Sequence, residues 1–514
     1  MTATTPTGRS HVNLSDLIAR NAAFTPDKPA LRFEGEALSY AALAARIAAV
    51  AEGLATQCSV GKGDRVAILS LNRPDYLVLL YACARLGAML VPMNWRLAVA
   101  EQRFILTDAA PKALVLEQAF ADVAPLAAND LPGLHILGLD FEPQHGHRFE
   151  SLLGTAQSVA AEGDLADPLL IVYTSGTTGR PKGAVLRQEA LLWNGTMSQH
   201  MHGLTSDDHV LTVLPFFHVG GLNIQTTPAL HHGATVTIHA RFTPDATLKT
   251  IGEDRPTLTV LVPATIQAVS DHPAWASSDL SSLKAISTGS QVVPPHLIER
   301  IVARGVPVLQ VYGSTETCPV AIYTRLGGDT SRAETTGLAG LFCDAMVVDE
   351  AGRELPPDVA GEIVVRGPNV FSEYWRNADA TGEALRDGWY RTGDVASRDA
   401  DGYFIVRDRK KNMIISGGEN IYPAEVERVL LEHPAVADCA VIGRPDPKWD
   451  EVPVAYVMLR ADHAVHTDDL YIHVLAQLAR FKVPREFIVV KDLPRTALGK
   501  VQHFVLRRGE EQTT

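Results

Sequence analysis

The sequence predicts an α/β protein: a large N-terminal domain with parallel, helix-covered sheets plus an antiparallel β subdomain, then a small mobile α+β C-terminal domain. Three observations predict it. Apolar strand-like runs alternate with helix-like segments through residue 311, the βαβ rhythm of a parallel sheet. Beyond about Thr336 the texture changes to short alternating strands bounded by Gly and Asp. Charge then divides the chain: the first 408 residues carry 31 basic and 44 acidic side chains, whereas residues 409–514 carry 15 of each, so the formal charge of -13 lies entirely on the large part. With 514 residues, 46% of them hydrophobic, the chain can fill two to four domain cores of about 150 residues each.

In order along the chain, residues 43–54 and 76–86 carry helical patterns, with strands at 66–70 and 89–92. The apolar run 76–91 contains Arg85 and is too short to span a bilayer, so it reads as a buried helix. Strands follow at 169–173, 210–214, 235–239, 258–262, 285–287 and 308–311. The segments MVVDEAGREL, GEIVVRG and DGYFIV form the antiparallel part. The charge cluster 407–412, between the strand 403–406 and the apolar run 413–415, marks the boundary: residues 1–408 form the first domain and 409–514 the second. The second contains a helix at 423–431 and strands at 439–442 and 454–459.

The acidic balance disfavours nucleic acid and anionic membranes as partners. Five widely spaced cysteines with no zinc spacing and a polar N-terminus without an apolar signal segment point to a reducing, cytoplasmic setting. The sequence leaves room for a homodimer.

The buried strand 169–173 leads into Thr174, Ser175, Gly176, Thr177, Thr178, Gly179, Arg180, Pro181, Lys182 and Gly183. Glycines that admit positive φ let successive N–H groups point inward, hydroxyls add donors and Lys182 adds a point charge, which together suit phosphate oxygens. Pro181 and Gly183 around Lys182 exclude a Walker A loop, and no dinucleotide fingerprint occurs.

With this loop the chain resembles the acyl-adenylate-forming superfamily, in its acyl-CoA synthetase branch that activates fatty or aryl acids. The motifs that carry the likeness follow in order: YTSGTTGRPKG, PFFH (215–218), VYGSTE (311–316), WYRTGD (389–394), DRKKNMIISGGENIYPAEVE (408–427) and PRTALGK (494–500). The resemblance implies an ATP-dependent ligase. A carboxylate attacks the α-phosphorus of ATP and expels pyrophosphate, and the thiol of coenzyme A then captures the acyl-AMP and releases AMP. It implies that Glu316 ligates Mg2+, that Thr315 bonds the α-phosphate and that Lys500 is the catalytic lysine of the first half-reaction. Asp394 and Arg409 would take the ribose. Gly289, Ser290 and Gln291, with Tyr312 and Gly313, would enclose the adenine; Ser287 and Ser290 depart from the glycine-rich sequence usual there. Lys411 matches the hinge about which the lobe turns, and Ser416, Gly417 and Gly418 the coenzyme A tunnel.

By the same resemblance His218, Val219, Gly220, Leu222, Asn223, Val262 and Gly313 line the acyl pocket. Acetate-specific members close that pocket with a tryptophan at the position of Gly313, so a larger monocarboxylic acid is expected, and Gly313→Trp is expected to favour short acids. No Arg or Lys among these residues can pair a second carboxylate. The alternative is a stand-alone adenylation enzyme that loads a carrier protein, disfavoured because only fourteen residues follow Lys500.

Overall fold

The computed structural model describes residues 12–154, 161–174, 181–290, 293–329, 332, 334–410, 412–416, 419–461, 463, 465–495, 501–503 and 505–507. Among these residues four sheets form. The first runs, in spatial order, Leu338–Ala339, Ile322–Tyr323, Val308–Tyr312, Ala285–Gly289, Leu258–Val260, His209–Thr212, Thr235–Ile238, Pro29–Phe33 and Glu36–Ser39. Its central strands are parallel, as the continuous apolar runs require of a sheet covered on both faces. A second, mixed sheet places Pro168–Thr174 between Met89–Pro92 and Lys182–Arg187.

Helix Pro74–Leu86 belongs to the core cluster that spans both sheets. Pro74 suits a first turn that has no use for its missing N–H, and Asp75 there is held by Arg46 and Arg73 at 2.6 and 2.7 Å. Tyr76, Leu77, Leu80 and Tyr81 are fully buried, so this helix is apolar all round. The run 76–91 is therefore not one helix. Gly87 turns the chain through φ 69° and a strand begins at Met89, because Gly alone takes the left-handed region without strain.

Asp344–Val348, Gly361–Arg366, Trp389–Arg398, Leu385–Arg386 and Phe404–Arg409 build the antiparallel subdomain. The expected strand 403–406 extends to Arg409, which pairs with Asp394, and Arg407 donates to Ser397 Oγ at 3.1 Å. Half of the charge cluster thus belongs to a strand, not to a linker. The next strand, Ile414–Ser416, pairs with Glu419–Ile421 and Asp450–Leu459 in the C-terminal sheet. Helix Pro423–Leu431 packs Val426, Val429 and Leu430 on that sheet, around a core separate from those of the large part.

Candidate active site

The parallel strands Ala285–Gly289 and Val308–Tyr312 lie side by side and both release the chain at their carboxyl ends, where open α/β sheets place ligands. Ser290 leaves the first with φ 73°. After the second, the turn 313–319 is fixed from outside. Asn369 donates to the carbonyls of Thr317 and Val320 at 2.8 and 3.1 Å, and the N–H of Phe371 to that of Glu316 at 2.8 Å. Ser314 N–H donates to Thr317 Oγ1 at 2.8 Å.

Glu316 is buried, and its Oε1 accepts the hydroxyl of Tyr374 at 2.8 Å. Its second oxygen, Oε2, takes no hydrogen bond from the described residues, leaving a hard anionic donor of the kind a divalent cation needs. Tyr374 lies on the short strand Glu373–Tyr374, paired with Ala184 and Val185. The ammonium of Lys182 stands 5.5 Å over its ring. One tyrosine therefore couples the lysine of the glycine-hydroxyl loop to the acidic residue 134 positions later. Sequence reasoning missed it, because a strand of two residues carries no periodicity.

Lys182 itself opens the strand Lys182–Arg187, antiparallel to Pro168–Thr174, and Thr174 Oγ1 donates to the Lys182 carbonyl at 3.4 Å. The loop is a hairpin connection, unlike the strand-to-helix phosphate loops excluded above. Ser175, Gly176, Thr177, Thr178, Gly179, Gln291, Lys411, Gly417, Gly418, Lys500 and the side chain of Arg409 lie outside the described residues.

Tyr312 donates to Asp394 Oδ2 at 2.8 Å, joining the residues expected at the adenine and the ribose. Gly393 (φ 71°) gives its N–H to Glu362 Oε1 at 3.2 Å, Arg391 pairs with Glu362 at 3.1 Å, and the N–H of Lys410 closes on the Gly393 carbonyl at 2.8 Å. A neighbouring cleft of about 380 Å3 is lined by Lys182, Tyr374, Tyr390, Arg391, Gly393 and Lys410 among others. Tyr390 is buried, and its phenol is pushed well above its usual range first by burial and then by the nearby Glu316 carboxylate.

Of the acyl-pocket residues, His218 precedes the helix Val219–Asn223 and packs its ring against Phe217 in a tilted pair, centroids 4.8 Å apart. Val219, Leu222 and Val262 are buried. Asn223 is fully buried, donating to Cys318 Sγ at 3.6 Å and accepting from Thr227 at 3.3 Å. Gly313 requires a correction. A Cβ added there would stand 1.6 Å from the Pro319 carbonyl oxygen and 2.7 Å from Thr317 Oγ1, so on this backbone a side chain meets the turn and not an acyl chain. Its glycine serves the close backbone approach.

Residues 18–375 match the AMP-binding enzyme family and residues 425–500 its C-terminal domain. The chain is 46% identical to an indoleacetate–CoA ligase of Aromatoleum aromaticum over 97% of its own length and 98% of that protein's. It is 41% identical to a feruloyl-CoA synthase of an Amycolatopsis species, covering 95% of this chain and 97% of the other. A crystal structure of the anthranilate CoA ligase AuaEII in complex with anthranoyl-AMP superposes with a TM-score of 0.91 at 26% identity, over 98% of both chains. A fold and site of this kind define an AMP-forming acid–thiol ligase, with ATP and coenzyme A as co-substrates. The chain belongs to the AMP-binding enzyme family, and a stand-alone carrier-loading adenylation enzyme is not favoured.

Proposed function

We propose that this ligase activates a monocarboxylic acid carrying an aromatic ring. The observation that supports this most is the likeness over nearly the whole chain to two ligases named for aryl acids, at 46% and 41% identity. The pocket segment agrees, since Gly220 offers open space where a side chain would stand, its absent Cβ meeting only Ile224 Cδ1 at 3.9 Å. The test is AMP release with ATP and coenzyme A across aryl and straight-chain fatty acids. Exclusive turnover of fatty acids overturns the aromatic reading.

In this reading the attacking carboxylate and the triphosphate repel by about 4 kcal/mol at 4 Å and an effective dielectric near 20, which cations must offset. Glu316 would hold Mg2+, whose charge would act on the phosphate oxygens. Lys182 and Thr315 would bind phosphate oxygens, Asp394 and Arg409 the ribose, and Gly289, Ser290, Gln291 and Tyr312 the adenine. Lys500 would join carboxylate to phosphate. Residues 1–408 and 409–514 would act as separate bodies turning at Lys411, with Ser416, Gly417 and Gly418 toward coenzyme A. Five free, buried cysteines agree with a reducing cytoplasm. Asp394→Ala is expected to raise the KM for ATP more than it lowers kcat, because ribose contacts are made before and during reaction. Steady-state kinetics in ATP check this, and an unchanged KM counts against the assignment.

The flanks of the Lys500 segment are anchored to the C-terminal lobe. Arg495 pairs with Asp438 and bridges to Val501, and His503 Nε2 meets Glu427 Oε1 at 2.9 Å. Burial lowers the His503 pKa, but Glu427 and Asp408 together raise it by more, so it ends above its usual value. The pair then stabilises the lobe fully below the unfolded value of about 6.5 and loses that contribution as pH rises through the folded value. His503→Gln is expected to lower Tm by more at pH 6 than at pH 9.

A further inference from the structure

Beside the helix Val219–Asn223 lies a small cavity, about 10 Å3, lined by Thr212, Gly220, Gly221, Gln225, Thr226 and Val260 among others. Its volume suits one polar heavy atom, such as a single water or the edge of a ring. The hydrogen bonds around it have a readable direction. His202 is fully buried, and its Nδ1 faces the Ser198 carbonyl at 2.7 Å, an oxygen that can only accept. The proton therefore sits on Nδ1. Burial also drives the pKa of this imidazole down to about 4, so at neutral pH Nε2 carries no proton and accepts. Ser287 must then donate its hydroxyl to Nε2, at 2.7 Å. That leaves Ser287 Oγ to accept from Gln225 Nε2 at 3.2 Å.

This relay settles the orientation of the Gln225 amide: nitrogen toward Ser287, carbonyl oxygen away from it. Gln225 is 1% exposed, and among the described residues its Oε1 has no hydrogen-bond partner. The two threonines have also committed their protons. Thr226 donates to the Gly221 carbonyl at 2.7 Å, so in the Thr212–Thr226 contact of 2.7 Å Thr212 is the donor. Thr212, Gln225 and Thr226 line the cavity, and the donor hydrogens assigned to them point to other partners. A buried acceptor left without a donor costs about 1–3 kcal/mol. Gly220 and Gly221 line this cavity without side chains, and Gly220 is also among the residues expected at the acyl pocket.

We propose that Gln225 is a specificity-determining residue at the far end of the acyl pocket, selecting acids whose ring carries an N–H or O–H donor. The inference rests on the aryl-acid reading above. A ring donor reaching Oε1 replaces whatever water occupies the cavity, and a ring of the same shape without a donor leaves the carbonyl desolvated and unpaired.

The test compares indole-3-acetate with 1-benzothiophene-3-acetate, in which sulfur replaces the N–H, by kcat/KM for coenzyme A-dependent AMP release. The native enzyme is expected to favour the indole by about fivefold or more, as an unpaired acceptor implies. In Gln225→Leu that ratio is expected to collapse toward one. Ser287→Ala, which removes the partner that orients the amide, is expected to reduce the ratio partway, and it serves as the second variant if Gln225→Leu does not fold. Equal kcat/KM for both rings in the native enzyme overturns the proposal and leaves the aryl reading standing. So does a ratio unchanged in both variants, which assigns the cavity to water alone. Turnover of straight-chain acids with neither ring overturns the aryl reading and the proposal with it.

Discussion

Replacing Lys500 with alanine is expected to slow acyl-adenylate formation by several orders of magnitude, while thioester formation from supplied acyl-AMP and coenzyme A persists near the native rate. A single ammonium that meets both the attacking carboxylate and a phosphate oxygen stabilises charge that develops only on the way to the transition state, so its loss falls on kcat. Once the adenylate exists that charge has been resolved, and the second half-reaction has no use for the lysine. Lys500→Arg is expected to recover little, because a planar fork does not reproduce a compact charge. Pyrophosphate release measures the first half and thioester yield from synthetic acyl-AMP the second. Equal loss of both halves would falsify this division.

The second large effect concerns Gly313. A substitution to tryptophan, expected from sequence to shift preference toward acetate, is expected on this structure to lower activity toward every acid together and to lower Tm. The Pro319 carbonyl stands 1.6 Å from where the Cβ would be, and Asn369 holds that turn by its carbonyls at residues 317 and 320. The turn cannot retreat without abandoning those bonds and the placement of Glu316. Even Gly313→Ala is expected to cost more than the 1–3 kcal/mol or so typical of core overpacking, since the obstacle is backbone. Thermal melting and kcat/KM across straight-chain acids are the measurements. A stable Gly313→Trp protein with selective acetate activity would restore the pocket assignment.

What could be read from the residues alone depended on how local the physics was. Helix Pro423–Leu431 was legible to the residue, because Pro at its start and the spacing of Val426, Val429 and Leu430 are properties of the segment itself. The strands preceding Ser290 and Tyr312 were legible as apolar runs, and so was the tendency of their carboxyl ends to hold the site. The break at Gly87 was legible from the pattern, which ends a helix at 86 and opens a strand at 89, but not from the hydropathy of 76–91, which reads as one helix until the φ of Gly87 is known. The Tyr374–Glu316 bond, which joins residues 58 apart, was not legible, nor was the link from His202 to Ser287, 85 apart. Such pairs exist only after the sheets have assembled. At Gly313 the structure departs from the expectation for a related reason: the obstacle to a side chain is the carbonyl of Pro319, six residues on, brought back by a turn whose shape no spacing rule contains.

An acyl-adenylate is an electrophile made to be captured by sulfur, and an enzyme that makes one must keep its own sulfur from competing. All five cysteines are free and buried. Burial pushes the thiols of Cys58 and Cys343 up to about 11 and about 12, and those of Cys83, Cys318 and Cys439 higher still. The thiolate is the nucleophile, and at neutral pH less than about one molecule in a thousand carries one at any of these positions. Cys318, within the turn that holds Glu316, is fully enclosed. Self-acylation is thereby suppressed, and the mobile thiol of coenzyme A meets no rival inside the protein that activates its partner.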